Sequence, residues 1–219
     1  APDRLAVAAV NGVHAGVLSG AEGAVAEAAE ALRAAGHRVK RLTVSHAFHS
    51  PLMEEVAGAF ERRAAQLSYA APRVRLVGNV DGRVLERVEA GYWRRHLRGA
   101  VRFADGARTV LEQLGCDVLI ELGPRPVLTG LARQLPEAKG EGAKGEGGKR
   151  RRWIASLRQG MTEWDALAQG VQEAWGAGVE VNWSGWDRDY ARRRVSVPGT
   201  AWERQRYWIS ASRPRAEQG

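Results

Sequence analysis

Two histidines, His46 and His49, lie three residues apart in the segment 44–53. This segment joins a predicted strand to a predicted helix that starts at Ser50 and Pro51, which places His49 close to a helix N-terminus. The positive end of a helix dipole favours the neutral, proton-accepting imidazole. His49 is therefore a candidate general base. Alternatively, both are ordinary loop histidines. A metal site is less favoured, because the nearby chain offers no suitable third ligand.

The residues themselves supply no evident nucleophile for this base. The Gly-x-Ser-x-Gly motif that presents a nucleophilic serine does not occur. Ser50 adjoins His49, but adjacent side chains at a helix start point in different directions, so Ser50 is interpreted as an N-cap. Cys116, the single cysteine, is interpreted as a small buried hydrophobe. One cysteine excludes an internal disulfide and a cysteine-based zinc site, and a reducing, cytoplasmic setting is expected.

Composition and charge limit the classes of partner that are expected for this chain. Of 219 residues, 44% are hydrophobic and 26% charged, which is typical of a globular protein. No apolar run approaches the ~18–20 residues that cross a bilayer, so no membrane partner is expected. The net charge of +8 makes nucleic acid a partner to consider. However, the basic clusters at 149–152 and 192–194 are short and lack a recognisable nucleic-acid-binding module. A basic surface equally suits an acidic small molecule or an acidic carrier protein.

The elements that must position His49 begin with a predicted hairpin. Its strands cover residues 5–10 and 15–18, with a turn at Asn11 and Gly12. The sequence then predicts a helix with a capping box formed by Ser19 and Glu22. Gly36 ends that helix, and residues 38–44 alternate like a strand. The helix after Ser50 has a predicted apolar face, which consists of Leu52, Val56, Phe60 and Leu67.

Further elements follow the second helix. The sequence predicts a strand at 74–80, a turn at Asp81 and Gly82, a helix at about 104–114, a strand at 118–122 and a short helix at about 126–134. Residues 136–152 are rich in Gly, Lys and Glu and are interpreted as a linker. Seven of the eight tryptophans lie after it, which indicates two separate packing units. The second unit contains one predicted helix from Thr162 to about Trp175, with an apolar stripe of Trp164, Leu167, Val171 and Trp175.

Several segments, in order, resemble the acyltransferase domains of modular type I polyketide synthases. The segment from His46 to Met53 resembles the part of that family that holds the catalytic histidine. The others are Ala8–Gly12 with Val17–Gly20, Gly78–Gly82, Tyr92–Leu97 with Val101–Phe103, Glu121–Pro124 with Pro126–Leu128, and Trp202–Trp208. Each segment alone is a weak signal, whereas six in the right order across some 200 residues are a specific one.

This resemblance implies a ping-pong acyl transfer. A serine, expected upstream of Ala1, would take malonyl from malonyl-CoA and pass it to the phosphopantetheine thiol of an acyl carrier protein. His49 would be the general base, and the backbone carbonyl of His96 would accept from its second ring nitrogen. Orientation by a carbonyl is a workable variant of the base-and-orienter arrangement. No cofactor or metal bound to the chain itself is implied, and neighbouring domains such as a ketosynthase are implied partners.

Residues 46–48 are the implied substrate contacts. His46, Ala47 and Phe48, followed by His49, resemble the motif of malonyl-selective domains, where methylmalonyl-selective ones tend to carry Tyr-Ala-Ser-His. The Phe48 ring would fill the space that an α-methyl branch needs, and one methyl discriminates by only about 1–3 kcal/mol. Alternatively, Phe48 packs the core beneath the site.

The fold implied is α/β with an α+β insert. Residues 1–44 would be a partial ferredoxin-like subdomain, 45–135 the C-terminal part of an α/β-hydrolase-like subdomain, and 153–219 an irregular Trp- and Arg-rich linker with one helix. Departures from the family include Gly99 and Ala100, where a proline commonly precedes Val-Arg-Phe. Without its serine, the chain alone is expected to be inactive. The alternative is a non-catalytic docking scaffold of a multidomain synthase.

Overall fold

The computed structural model describes residues 4–139, 150–193, 195–205 and 207–208. The chain forms two compact units, Ala1–Glu180 and Val181–Gly219. The middle of the predicted 136–152 linker, residues 140–149, lies outside the described residues, as do Arg194 and Arg206 of the basic and closing segments.

The first unit opens with a hairpin of two antiparallel strands, β1 (Leu5–Gly12) and β2 (Ala15–Gly20). The predicted turn at Asn11 and Gly12 is wrong, because β1 continues to Gly12, which pairs with Ala15. The register shifts at Ala8 and Asn11, as in β-bulges, so Asn11 is an extra residue within the strand.

Helix α1 (Glu22–Ala34) follows the hairpin directly. The predicted capping box is wrong, because β2 extends through Ser19, which pairs with Ala6, and the N-cap is Ala21 without a side-chain bond. Gly36 has φ of +84° and ends the helix as predicted. The predicted strand at 38–44 is also wrong: this segment forms no strand and is largely exposed, and no described strand pairs with it.

Ser50 starts the next helix, as predicted. Its hydroxyl accepts from the Leu52 N–H at 3.3 Å, a short 3₁₀ turn covers Pro51–Met53, and α2 covers Glu54–Ala64. The predicted apolar face is exposed and therefore not a core face in this chain. The buried positions of α2 are Ala57 and Ala64, because small residues allow close packing.

The middle of the unit contains three strands and three helices. A short antiparallel pair, β3 (Leu76–Val77) and β4 (Val84–Leu85), replaces the longer predicted strand. Helix α3 (Ala90–Arg98) packs against α2. Helix α4 (Phe103–Arg108) continues into a π-helical turn (Thr109–Gln113), confirming the helix predicted at 104–114. Strand β5 (Val118–Glu121) and helix α5 (Val127–Ala132) confirm the next two predictions.

Strand β6 (Arg152–Ala155) pairs in parallel with β5, from Val118 opposite Arg152 to Glu121 opposite Ala155. Helix α6 (Glu163–Gly176) packs on β6 and begins after Thr162, as predicted; the structure adds that Thr162 is its N-cap. The predicted apolar stripe of α6 is not its buried face. The buried positions are Ala166 and Ala174. The expected division at 136–152 also differs from the structure, since β6 and α6 belong to the first unit.

Leu111, Leu135 and Ile154 are almost fully buried. Beside them, the buried Arg151 guanidinium donates to the carbonyls of Leu111 at 2.6 Å, Glu137 at 3.1 Å and Cys116 at 3.2 Å. Cys116 itself is only half-buried. The second unit has one short helix among its described residues, α7 (Trp183–Trp186). No described helix is both long and apolar enough to span a membrane.

Candidate active site

His49 is fixed by three contacts with the end of α3. Its backbone N–H donates to the Leu97 carbonyl at 3.1 Å. Its ring nitrogen Nδ1 lies 2.9 Å from the His96 carbonyl oxygen and 2.9 Å from that of Gly99. The hydrogen bond expected between His49 and the His96 carbonyl is therefore present, and Gly99 supplies a second acceptor.

His49 also has an unusual backbone conformation. Its φ is +59°, and it is the one described residue other than glycine with a positive φ. Histidine tolerates this region better than most side chains, yet such geometry persists only where surrounding contacts impose it. The contacts with the α3 terminus and the cap at Ser50 impose it on both sides of His49.

The two carbonyls determine which ring nitrogen carries the proton. Carbonyl oxygens only accept, so His49 Nδ1 must donate, and in the neutral ring Nε2 is left as the acceptor. A ring in this state can take a proton at Nε2 from a group placed opposite it. The geometry thus provides the protonation state that a general base requires.

Two helix ends of opposite polarity lie beside His49. The helical stretch that begins at Pro51 presents its positive end, as the sequence predicts. The last carbonyls of α3 lack intrahelical partners and form the negative end of that helix. They stabilise a positive ring, so the two helix ends act in opposite directions. The residue pattern at 50–51 predicts only the first of them.

The His96 side chain borders the site without bonding to His49. Its ring lies edge-on to that of His49, with centroids 5.4 Å apart, and stacks on Tyr92 at 5.9 Å. Burial lowers the pKa of His96 and the neighbouring His49 lowers it further, so the ring is neutral at pH 7. Tyr92 is itself anchored, since its hydroxyl accepts from the Asn79 N–H at 3.1 Å.

Residues 46–48 lie at the surface of this chain. The His46 and Phe48 rings are 5.8 Å apart, and about half of Phe48 is exposed, at 50%. Phe48 therefore does not pack a core within the described residues. The Ala47 carbonyl accepts from the fully buried Ser50 hydroxyl at 2.6 Å. Ser50 is thus committed to backbone contacts, which agrees with its interpretation as a cap rather than a nucleophile.

Sequence reasoning missed Gly99, because a residue that acts through its carbonyl leaves no side-chain signal. Its departure from the family pattern was visible but pointed to no role. Among the described residues, no group of three His, Cys, Asp or Glu side chains is close enough to hold a metal ion.

Comparisons with known proteins agree on one family. A family model described as acyl transferase domain matches residues 1–180, the same bounds as the first unit. Polyketide synthase GfsA of Streptomyces halstedii is 38% identical over 94% of this chain, which spans 3% of that protein. Mycoketide-CoA synthase of Mycobacterium tuberculosis is 35% identical over 93% of this chain, which spans 5% of it. The chain therefore corresponds to a small part of these relatives.

Solved structures give the same result. The acyltransferase domain from the second module of the salinomycin polyketide synthase is 40% identical, with a TM-score of 0.76, and the match covers 90% of this chain and 44% of that one. A loading acyltransferase from the avermectin modular polyketide synthase is 31% identical, with a TM-score of 0.67, over 79% of this chain and 51% of that one. The chain belongs to the acyl transferase domain family, in the form found in modular type I polyketide synthases.

Proposed function

We propose that this chain is the C-terminal part of an acyltransferase domain that transfers malonyl from malonyl-CoA to the phosphopantetheine thiol of an acyl carrier protein. His49 is the general base for a serine supplied by a segment upstream of this chain. The observation that carries the proposal is the pair of carbonyls on His49 Nδ1, because they leave Nε2 as the proton acceptor. These carbonyls orient the ring, as the carboxylate does in the Ser-His-Asp triad.

In the first half-reaction, His49 Nε2 takes the proton of the serine hydroxyl as the serine oxygen attacks the malonyl thioester carbon. The carbon–sulfur bond then breaks, and the coenzyme A thiolate leaves with the proton that His49 returns. The products are malonyl-serine, free coenzyme A and a neutral His49. Throughout, the two carbonyls keep Nδ1–H in place and stabilise the transient imidazolium.

In the second half-reaction, His49 Nε2 takes the proton of the phosphopantetheine thiol, and the thiolate attacks the malonyl-serine ester. The serine oxygen leaves and recovers the proton from His49. The carrier then bears malonyl as a thioester, and the serine is free for another cycle. The net charge of +8 suits an acidic carrier as the partner.

Residues 46–48 form the proposed wall against branched substrates. The Phe48 ring, half-exposed and tilted against His46, is available to contact an extender unit bound beside His49. An α-methyl group would compete with this ring for space. Because one methyl discriminates by about 1–3 kcal/mol, the preference for malonyl is expected to be incomplete.

The test begins with the coding DNA upstream of this chain, where a Gly-His-Ser-x-Gly segment in frame is expected within about 150 codons, by the resemblance to the family. The complete domain is then assayed for malonyl transfer to a carrier protein. His49→Ala is expected to lower the rate by at least about a hundredfold, because general bases contribute 10²–10⁴. The matched control is His37→Ala, which removes an exposed histidine outside the site. A non-catalytic scaffold would instead keep an unchanged rate in both variants.

A further inference from the structure

Gly99 is held at the junction of α3 and β1. Its N–H donates to the Arg95 carbonyl at 2.7 Å, which ties it to the last turn of the helix. Two residues later, Val101 donates to the Ala8 carbonyl at 2.8 Å and accepts from the Val10 N–H at 2.9 Å. The Gly99 carbonyl therefore lies between two fixed attachments, one to a helix and one to a strand.

The space at Gly99 allows no side chain. A Cβ built there would lie 2.8 Å from the Arg95 carbonyl oxygen, a distance that real Cβ atoms essentially never show. Because the obstructing atom belongs to the helix backbone, an alanine must displace either the α3 terminus or Gly99 itself. Either displacement moves the Gly99 carbonyl relative to the His49 ring, 2.9 Å away.

We infer that Gly99 is a positioning residue for the base: its carbonyl shares the His49 Nδ1 proton with the His96 carbonyl, and its missing side chain allows that approach. Two acceptors orient the ring better than one, since rotation about the Cβ–Cγ bond would break two contacts. They also act together on the positive ring that forms during proton transfer. The catalytic consequence rests on the proposed function, whereas the shared hydrogen bond does not.

The first test compares Gly99→Ala with Gly91→Ala in the 219-residue chain. Gly91 lies in α3, the helix that ends at Gly99, and a Cβ there meets only ordinary contacts at 3.6 Å. Nitrogen-15 NMR of the His49 ring measures the ratio of the Nδ1–H to the Nε2–H tautomer. Loss of one hydrogen bond is expected to shift this ratio by about fivefold in Gly99→Ala, but not in Gly91→Ala. An equal ratio in both variants would overturn the inference.

A second measurement does not depend on whether Gly99→Ala folds. Carbon-13 shifts of the His96 and Gly99 carbonyls are compared between the wild-type chain and His49→Ala. Both signals are expected to move when the shared proton is removed. If only the His96 signal moves, Gly99 is not an acceptor and the inference is wrong.

Activity is measured separately, in the complete domain. Gly99→Ala is expected to lower kcat about tenfold with little change in KM, because orientation of the base matters in the transition state and not in binding. An altered tautomer ratio with unchanged transfer would leave the hydrogen bond established and refute its catalytic consequence, whereas loss of transfer in His49→Ala tests the base itself. An unchanged ratio with impaired transfer would instead refute the positioning role of Gly99.

Discussion

The carboxylate of Glu121 caps the start of α5, and replacing it with glutamine tests how much it contributes. Oε1 accepts from the backbone N–H groups of Val127 at 3.0 Å and Leu128 at 2.9 Å. Oε2 accepts from the N–H and the hydroxyl of Thr129, both at 2.8 Å. In Glu121→Gln, the remaining side-chain oxygen still accepts from one of these two pairs of donors. The other pair faces the amide NH₂ group, which cannot accept a hydrogen bond.

The structure sets the expected size of the effect. Hydrogen bonds to charged groups contribute about 1.5–3 kcal/mol each, and the partial exposure of Glu121 reduces that figure, so we expect a loss of about 2 kcal/mol in the free energy of unfolding. Removal of a negative charge from a helix N-terminus acts in the same direction. The matched control is Glu86→Gln, which neutralises an exposed carboxylate that makes no hydrogen bond or ion pair with the residues the structure describes.

The pH dependence of this loss follows from the pKa of Glu121. Burial alone would raise the pKa, but the hydrogen bonds from Thr129, Leu128 and Val127 outweigh it and leave the pKa below its usual value. A carboxyl group with a lowered folded-state pKa stabilises the fold above its unfolded-state pKa and loses that contribution as the pH falls through the folded-state value. The difference between wild type and Glu121→Gln should therefore be full at pH 7 and shrink below about pH 4.5.

Urea unfolding of the 219-residue chain measures both effects, provided that the slope m is unchanged. If the free energy of unfolding of Glu121→Gln lies within about 0.5 kcal/mol of that of Glu86→Gln at pH 7, the range of ordinary surface substitutions, Glu121 does not stabilise α5 as a cap. If the difference persists undiminished in acid, the charge on Glu121 is not its cause.

Three further predictions concern other residues. In the complete domain, Phe48→Ser should lower the preference for malonyl over methylmalonyl about tenfold in a competition assay read by mass spectrometry of the carrier, and an unchanged ratio would argue against Phe48 as the wall. Because the folded-state pKa of His96 is lowered, stability should fall as the pH drops below about 6.5. The melting temperature of His96→Phe should fall less over that range, and identical pH profiles would contradict this. Arg151→Lys should cost about 2–4 kcal/mol in urea unfolding, because the guanidinium reaches the three carbonyls through three separate nitrogens, whereas a lysine ammonium presents its donors from one nitrogen. Arg152→Lys, at the next residue, which is exposed and begins β6, is its control, and equal losses would exclude a special role for Arg151.

The sequence correctly predicted those helix ends that depend only on neighbouring residues. The N-cap at Ser50, the helix start at Thr162 and the stop at Gly36 depend on residues within one turn, and the structure confirms all three. The strand predicted at 38–44 failed because a strand needs a partner, which an alternating pattern does not supply. The pairing of β5 with β6 joins residues 34 positions apart across the predicted linker, and no local pattern predicts it.

The apolar stripes of α2 and α6 illustrate a second limit. Hydrophobic periodicity identifies the face that is suited to burial, but it does not say which face this chain buries. In both helices alanines are buried instead, at Ala57 and Ala64 in α2 and at Ala166 and Ala174 in α6. The candidate site likewise contains residues that the sequence indicated and one that it did not. The resemblance to a family indicated His49 and the His96 carbonyl, whereas Gly99 emerged only from the three-dimensional arrangement.

A base held by carbonyls differs chemically from one held by a carboxylate. A carboxylate beside the ring places a full negative charge against the imidazolium, whereas two carbonyls at 2.9 Å offer only partial charges. The carbonyls fix the same tautomer, but they hold the transferred proton less firmly on the ring. In the proposed ping-pong reaction, His49 must return that proton twice per cycle, first to the coenzyme A thiolate and then to the serine oxygen. A weaker counter-charge suits a base that has to release its proton as readily as it takes it, and the end of α3 supplies such a counter-charge through backbone atoms alone.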